Sequence, residues 1–263
     1  MIELGVNLAT MVERLERSGP ITGSQLARRA VPLLDLTCLD PEKGEGEILD
    51  LCQRTKTKFG PVAGICVLPQ FVPLVREQLA KTGSRVHLAT VVNFPDGEYG
   101  VAQVGEDAAR MVAAGADEID LVLPYRKYQE GERDEAMAVI IGCRATCGPD
   151  VTLKVILETG SFRDAKLLAQ AARDVITEGA DFLKTSTGRI SQGATLSAAA
   201  LLLGIIHDGG GRVGLKVSGG IHGIADVARY LALTDAIMGP EWATPANFRF
   251  GASHLLEELL ALD

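Results

Sequence analysis

The segment DFLKTSTGR (residues 181–189) places one lysine in a short apolar run and follows it with a turn rich in hydroxyl groups. Residues 182–183 predict a buried strand, and residues 185–188 predict the loop at its carboxyl end. Burial disfavours an ammonium ion and favours the neutral amine, which is the form that attacks a carbonyl carbon to make an imine. A buried lysine can also be structural, with its ammonium group reaching water or a carboxylate. The segment alone leaves both interpretations of Lys184 open.

A helix stop that leads into a strand occurs twice along the chain. GADEID (residues 115–120) and GADFLK (residues 179–184) are near copies, and each follows a segment with helical periodicity. From residue 31 onward strands and helices alternate, and the strands are mostly apolar, which is typical of parallel strands covered by helices. We predict eight strands, at residues 32–36, 64–68, 86–94, 118–123, 152–157, 181–184, 214–217 and 235–238.

These elements predict an α/β fold, a single-domain (β/α)₈ TIM barrel at residues 31–263 with an N-terminal helical extension at residues 1–30. In the extension, apolar residues follow a helical period up to a stop at residues 18–20, and a second short helix is expected after Thr22. The alternative is an open doubly wound sheet. No G-x-G-x-x-G follows an early strand, which favours the barrel.

Composition argues against several classes of protein. The formal net charge of -8 disfavours a nucleic-acid partner or an anionic membrane surface. Apolar stretches such as residues 198–206 are too short to span a bilayer, and the N-terminus does not have the pattern of a signal peptide. The five cysteines include no C-x-x-C pair and the four histidines form no H-E-x-x-H, so neither disulfides nor a metal-dependent mechanism is expected. We expect a cytoplasmic protein.

Polar side chains recur in the predicted strands or at their ends, where a barrel of this kind carries its chemistry. Several are acids or lysines among apolar neighbours, more than packing requires, so they must pair in the interior. They are Asp35, Thr37, Cys66, Asn93, Asp120, Lys154, Glu158, Lys184, Lys216 and Ser218.

Lys216 lies one strand after Lys184. Because adjacent parallel strands are about 4.8 Å apart, the two ammonium groups would be neighbours, and the second charge would lower the pKa of Lys184. The alternative is that both lysines only neutralise Asp35 or Asp120. Two lysines with few acids favour the catalytic interpretation. Asp120 is then either an ion-pairing carboxylate or a proton shuttle, and geometry must decide.

Glycine-containing turns predict an anion site. SGGI (residues 218–221) follows the seventh strand, and RFGAS (residues 249–253) is predicted to open the final helix after the eighth strand. Barrels often bind phosphate there, through backbone N–H groups that glycine leaves accessible. Gly188-Arg189 adds a third edge and a cation.

Seven segments of this chain, in order, resemble the deoxyribose-phosphate aldolase family of class I aldolases. They are LLDLT (33–37), TVVNFPDG (90–97), ADEIDLVLPY (116–125), LKVILETG (153–160), ADFLKTSTG (180–188), GLKVSGGI (214–221) and FRFGAS (248–253). The resemblance covers the chain from the first predicted strand to the last helix. ADFLKTSTG and LKVILETG are its most specific parts.

The resemblance implies a barrel that cleaves 2-deoxyribose 5-phosphate to acetaldehyde and glyceraldehyde 3-phosphate in deoxyribonucleotide breakdown, without metal or organic cofactor. It implies that Lys184 forms the imine, that Lys216 perturbs Lys184 and shares in proton transfer, and that Asp120 relays protons. It also implies a homodimer or larger homo-oligomer. The phosphate site falls on Gly188, Arg189, Gly219, Gly220, Gly251 and Ser253, and further substrate-binding candidates are Asp35, Thr37, Cys66 and Lys154.

This chain departs from the family pattern at a few positions. Val217 replaces the usual proline and His254 replaces a frequent second serine, and the given sequence ends at Asp263 without the tyrosine-bearing tail of some members. Two other functions remain open: an imine-forming aldolase for a keto acid or another phosphosugar, and a non-catalytic barrel that senses a phosphosugar.

Overall fold

A computed structural model of the chain describes residues 4–17 and 23–262. The strands are β1 (Leu34–Cys38), β2 (Gly64–Val67), β3 (His87–Val92), β4 (Glu118–Val122), β5 (Thr152–Ile156), β6 (Phe182–Lys184), β7 (Gly214–Ser218) and β8 (Phe248–Ala252). The helices are α1 (Leu4–Arg17), α2 (Ser24–Ala30), α3 (Glu45–Gln53), α4 (Val72–Thr82), α5 (Val101–Ala113), α6 (Tyr125–Gln129), α7 (Arg133–Cys147), α8 (Ala165–Thr177), α9 (Leu196–Asp208), α10 (Ile224–Met238) and α11 (Leu255–Leu260). A short antiparallel pair, Lys56–Thr57 with Gly60–Pro61, lies outside the main sheet.

The eight strands form a closed parallel barrel in which each strand pairs with the next and β8 pairs with β1. The strands are short and buried on both faces, as in β4, where all five residues are buried. The inward face packs side chains inside the barrel, and the outward face packs against the helices. The predicted (β/α)₈ fold is confirmed.

Local sequence explains where several helices begin and end. The side chain of Asp164 accepts a hydrogen bond from the backbone N–H of Lys166 at the start of α8, over 2.8 Å. Thr195 does the same for the N–H of Ala198 at the start of α9. These caps satisfy N–H groups that have no partner within the helix. At the end of α4, Gly83 adopts the left-handed conformation that favours glycine, with φ of 62°.

The prediction for the eighth strand was wrong. Residues 235–238 form the last turn of α10, and the strand is β8, ten residues further along the chain. The segment before residue 235 buries Val227, Leu231 and Thr234, a helical spacing that continues into the segment that was assigned as a strand. In β8 the side chains alternate between the two faces of the sheet instead. Phe248 and Phe250 face the helices, and Arg249, which lies between them in the sequence, faces the interior of the barrel. RFGAS therefore forms most of the strand and the turn after it.

The N-terminal helices pack on the barrel. α1 lies against α9 and α10, and α2 lies against α11. Val12 of α1 and Leu26, Ala27 and Ala30 of α2 are buried in the same core as the barrel helices. The predicted helix stop at residues 18–20 and the position of Thr22 lie outside the described residues. The division into an extension and a barrel at residue 30 remains a proposal.

No helix in the described part of the chain is both long enough and apolar enough to cross a lipid bilayer.

Candidate active site

The register of the parallel strands brings four predicted residues to the middle of the barrel. Asp120 of β4 is the partner of Lys154 in β5, and Lys184 of β6 is the partner of Lys216 in β7. β5 also pairs with β6, so these four strands are consecutive neighbours in the barrel. Lys184 and Lys216 are therefore side by side, as the sequence predicted.

Asp120 is the centre of this group. Its Oδ1 accepts a hydrogen bond from Lys154 Nζ at 2.8 Å, and its Oδ2 accepts from both Lys184 Nζ and Lys216 Nζ, each at 2.8 Å. One buried carboxylate thus holds three amines in place. This arrangement fixes the distance between the two lysines that the sequence identified as an interacting pair.

A second layer of ion pairs lies beneath Asp120, towards the amino ends of the strands. Lys216 Nζ lies 2.6 Å from Asp35 Oδ2, and Lys154 Nζ donates to Glu118. Arg249 then closes the layer, since one of its nitrogens donates to Asp35 Oδ1 at 2.6 Å and another donates to Glu118 Oε1 at 3.0 Å. We call the seven residues of both layers the interior cluster: Asp35, Glu118, Asp120, Lys154, Lys184, Lys216 and Arg249.

The electrostatics of the interior cluster favour charged groups despite full burial. Burial alone would raise the pKa of Asp120, but the ammonium groups of Lys154, Lys184 and Lys216 lower it well below its usual range. Burial alone would lower the pKa of Lys216, but the carboxylates of Asp120 and Asp35 raise it well above its usual range. Asp120 and Lys216 are therefore an ion pair at neutral pH.

Lys184 differs from the other amines of the cluster because it reaches a cavity. Its side chain is 2% exposed and lines a cavity of about 630 Å³ at the carboxyl ends of the strands. Thr37, Thr187 and Ser218 line the same cavity. A molecule in the cavity can contact the amine of Lys184, whereas Lys154 and Lys216 lie beneath it.

Three glycine-bearing turns form one side of the cavity. They contribute Gly188 and Arg189, Gly219 and Gly220, and Gly251 and Ser253, all of which line it. The predicted anion-binding residues are thus brought together.

One of these turns, Gly219-Gly220, contacts a neighbouring loop closely. A Cβ atom on Gly193 would lie 2.5 Å from the carbonyl carbon of Gly219 and 2.9 Å from the backbone nitrogen of Gly220. The N–H of Ala194 donates to the carbonyl of Gly219 at 2.9 Å. The loop that contains Gly193 therefore determines where the Gly219-Gly220 backbone lies.

Arg189 is held at the rim by two contacts. Its guanidinium group donates to the carbonyl oxygen of Leu39 and stacks over the ring of Phe94 at 5.6 Å from the centroid. Both contacts keep the cation beside the cavity.

Three residues predicted to bind substrate do not reach the cavity. Asp35 and Lys154 belong to the interior cluster, and Cys66 lies beside it, with its Sγ 3.8 Å from Asp120 Oδ2. Burial raises the pKa of Cys66 to about 11, so it is a neutral thiol at neutral pH. These side chains support the cavity floor from below. The sequence placed them in the correct strands but could not give their depth.

Four residues of the site were not identified as candidates from the sequence. Glu118 and Arg249 belong to the interior cluster, and His222 and His254 line the cavity near the glycine turns. The period of two in a strand is a signal that could have found Glu118, because it places Glu118 and Asp120 on the same face. Arg249 was missed because β8 was assigned to the wrong segment.

In the described part of the chain, no three or more His, Cys, Asp or Glu side chains are grouped so as to hold a metal ion. The interior cluster contains three carboxylates, but lysine and arginine groups occupy the space around each of them.

Comparison with known proteins gives consistent matches over most of the chain. A family model of DeoC/LacD family aldolases matches residues 37–256. A deoxyribose-phosphate aldolase of Agrobacterium fabrum (strain C58) is 44% identical over 236 residues, which is 90% of this chain and 91% of that protein.

Solved structures resemble the fold closely. A protein of Toxoplasma gondii ME49, provisionally described as a deoxyribose-phosphate aldolase, superposes with a TM-score of 0.82 at 25% identity, over 90% of this chain and 94% of the other. A similarly described protein of Coccidioides immitis gives a TM-score of 0.75 at 26% identity, over 97% and 96% of the two chains.

Proposed function

This chain belongs to the DeoC/LacD aldolase family, and from that premise we propose that it reversibly cleaves 2-deoxy-D-ribose 5-phosphate to acetaldehyde and D-glyceraldehyde 3-phosphate through an imine on Lys184. The observation that carries the proposal is the position of Lys184. Its amine is buried in a cluster of charges, hydrogen-bonded to Asp120, and open only to the cavity. Burial and a neighbouring cationic group, here Lys216, are the conditions that activate a nucleophilic lysine.

The first step is addition of the neutral Lys184 amine to the aldehyde carbon of the open-chain sugar. Loss of water gives a protonated imine, whose positive charge withdraws electrons from the adjacent carbon. Asp120 Oδ2, 2.8 Å from Lys184 Nζ, lies where it stabilises that positive charge.

In the second step the C2–C3 bond breaks. Asp120, acting through a water molecule and Lys216, accepts the proton of the C3 hydroxyl group. The bonding electrons convert the protonated imine into a neutral enamine while the hydroxyl proton neutralises a carboxylate. The net charge of the interior cluster is therefore unchanged, which matters because a change of charge in a buried site is costly. Protonation and hydrolysis of the enamine then release acetaldehyde.

The phosphate end of the substrate is assigned to the glycine turns. Gly188, Gly219 and Gly220 line the cavity, and glycine leaves backbone N–H groups open to an anion. Arg189 supplies a cation that is held at the rim. Lys184 lines the same cavity as these turns, so we assign the aldehyde end of the substrate to its amine.

Reductive trapping tests this function. We expect incubation with 2-deoxyribose 5-phosphate and borohydride to leave a stable adduct on the peptide that contains Lys184, identified by mass spectrometry. An adduct with a keto acid but none with the deoxyribose phosphate would assign a different aldolase substrate. No adduct from the folded protein, with ligand-induced stabilisation, would favour a phosphosugar sensor.

Substitution of Gly193 tests the phosphate assignment. We expect Gly193→Ala to raise KM for 2-deoxyribose 5-phosphate about tenfold, equivalent to about 1.4 kcal/mol, because the added methyl group displaces the Gly219-Gly220 backbone. Turnover of unphosphorylated 2-deoxyribose should change much less. The matched control is Gly105→Ala in α5, where the new methyl group would meet only an ordinary contact at 3.6 Å. Equal losses on both sugars would contradict the assignment.

Assembly, location and domain boundaries are also proposals. We propose a homodimer or larger homo-oligomer, which light scattering would measure. We propose a cytoplasmic location, supported by five cysteines that include no disulfide among the described residues. We further propose that the reaction needs no cofactor, and that residues 1–30 are an addition to the barrel at residues 31–263.

A further inference from the structure

The ion pairs of the interior cluster do not balance in charge. Three carboxylates, Asp35, Glu118 and Asp120, face four basic groups, Lys154, Lys184, Lys216 and Arg249. All seven side chains are buried. If every group were ionised the cluster would carry one uncompensated positive charge, which is unfavourable in a medium of low polarisability.

Loss of one proton makes the cluster neutral, and the contacts indicate where it is lost. Lys154 pairs with Glu118 and Asp120, and Lys216 pairs with Asp35 and Asp120. Arg249 pairs with two carboxylates and does not lose its proton in proteins.

Lys184 pairs only with Asp120 and also faces the cavity, where solvent can accept a proton. The state in which the cluster is neutral is therefore the state in which Lys184 is a free amine.

We propose that Arg249 and Glu118 are positioning residues that set the net charge of the interior cluster and so control when Lys184 becomes a nucleophile. Neither residue lines the cavity, and both lie near the amino ends of their strands, whereas Lys184 is the last residue of β6. They act through the chain of ion pairs that ends at Asp120. This inference rests on the proposed role of Lys184 and adds the residues that govern it.

Other titratable groups near the cluster are unchanged by the test. Cys66 is a thiol. The buried Glu158 carboxylate accepts hydrogen bonds from the backbone and hydroxyl group of Thr187 and also interacts electrostatically with Lys184. Because Glu158 is present in every variant, its effect on Lys184 is common to all of them. Burial raises the pKa of Glu158. His87 Nδ1 lies 3.8 Å from Glu118 Oε1 and the side chain is solvent-exposed, so the measurement is repeated with His87→Gln in each background.

The test is a double-mutant cycle that changes the charge at Glu118 and at Arg249. The rate of adduct formation with acetaldehyde and cyanoborohydride is measured against pH, and the midpoint of its acidic limb is compared between proteins. Glu118→Gln removes a negative charge and should lower the midpoint by about one pH unit, whereas Arg249→Gln removes a positive charge and should raise it by a similar amount. The double variant restores the net charge and should return the midpoint to the wild-type value.

Two controls separate charge from structural damage. Arg249→Lys keeps the charge and should leave the midpoint unchanged even where the melting temperature falls. Arg110→Gln removes an exposed arginine of α5 and should change neither the midpoint nor the melting temperature. If Arg249→Gln does not fold, Glu118→Gln and Arg249→Lys still test the proposal. Glu118→Gln must lower the midpoint of the acidic limb, and Arg249→Lys must leave it unchanged.

Midpoints that stay within about 0.3 pH unit of the wild type, or that move in the same direction in both single variants, would overturn the proposal. A purely structural role predicts lower amplitude and lower stability, most severe in the double variant. Absence of any wild-type adduct on the Lys184 peptide would instead overturn the proposed function, so the two failures are distinguishable.

Discussion

Lys184→Ala is expected to lower the rate of 2-deoxyribose 5-phosphate cleavage by about 10⁵-fold or more, to the detection limit of a coupled assay for glyceraldehyde 3-phosphate. The physical reason is that no other amine in the described part of the chain both belongs to the interior cluster and lines the cavity. Without it the substrate cannot form the imine that accepts the electrons of the breaking bond. The variant should also lose the borohydride-stable adduct.

The protein should remain folded, because Asp120 keeps its hydrogen bonds to Lys154 and Lys216 when Lys184 is removed. Without Lys184, the three carboxylates of the interior cluster face three basic groups, so its charges balance. Circular dichroism and the melting temperature check this point. Lys166→Ala, which removes an exposed lysine at the start of α8, is the matched control and should keep full activity. Near-normal turnover in Lys184→Ala would contradict the imine mechanism.

Asp120→Asn is expected to lower kcat by about 10³-fold or more while leaving imine formation possible. The substitution removes the proton acceptor of the cleavage step but keeps Lys184 at the cavity. Trapping with borohydride should then capture mainly the adduct that retains all five carbons of the sugar. The two-carbon adduct, which requires C2–C3 cleavage, should be scarce.

The same substitution should reduce stability. Asp120 is fully buried and pairs with three ammonium groups, and an amide leaves them without that charge. Removing one partner of a buried ion pair costs about 3 kcal/mol or more in the free energy of unfolding. Asp150→Asn, an exposed change before β5, controls for the loss of a carboxylate. A two-carbon adduct formed at the wild-type rate would show that Asp120 is not the proton acceptor.

The sequence predicted seven of the eight strands because they are short, mostly apolar segments that lie near glycine or proline. GADEID and GADFLK both mark the end of a helix and the start of a strand, and the structure has β4 and β6 at these places. The eighth strand was misplaced because a short apolar run is compatible with a helix or a strand, and only packing distinguishes them. Residues 235–238 belong to a helix whose buried face begins eight residues before them, at Val227.

The chemistry of the site was visible in the sequence wherever an ionisable residue interrupts an apolar strand. Lys184, Lys216 and Asp120 could be identified because keeping such a side chain in a core is unfavourable unless it has a partner. The sequence could not say which residue pairs with which. It therefore assigned Asp35 and Lys154 to substrate binding, whereas their contacts are with Lys216, Arg249 and Glu118.

The sequence by itself determined the barrel, the identity of the candidate nucleophile and the position of the glycine turns, because periodicity, burial preference and turn chemistry are local properties. Only the tertiary structure decided the depth of each side chain and the grouping of four basic side chains with three carboxylates in the interior cluster. It also decided that Lys184 is the lysine of the cluster that lines the cavity. Depth and pairing depend on the relative register of strands that are distant in the chain. Register is set by the closure of the whole barrel and not by any single segment.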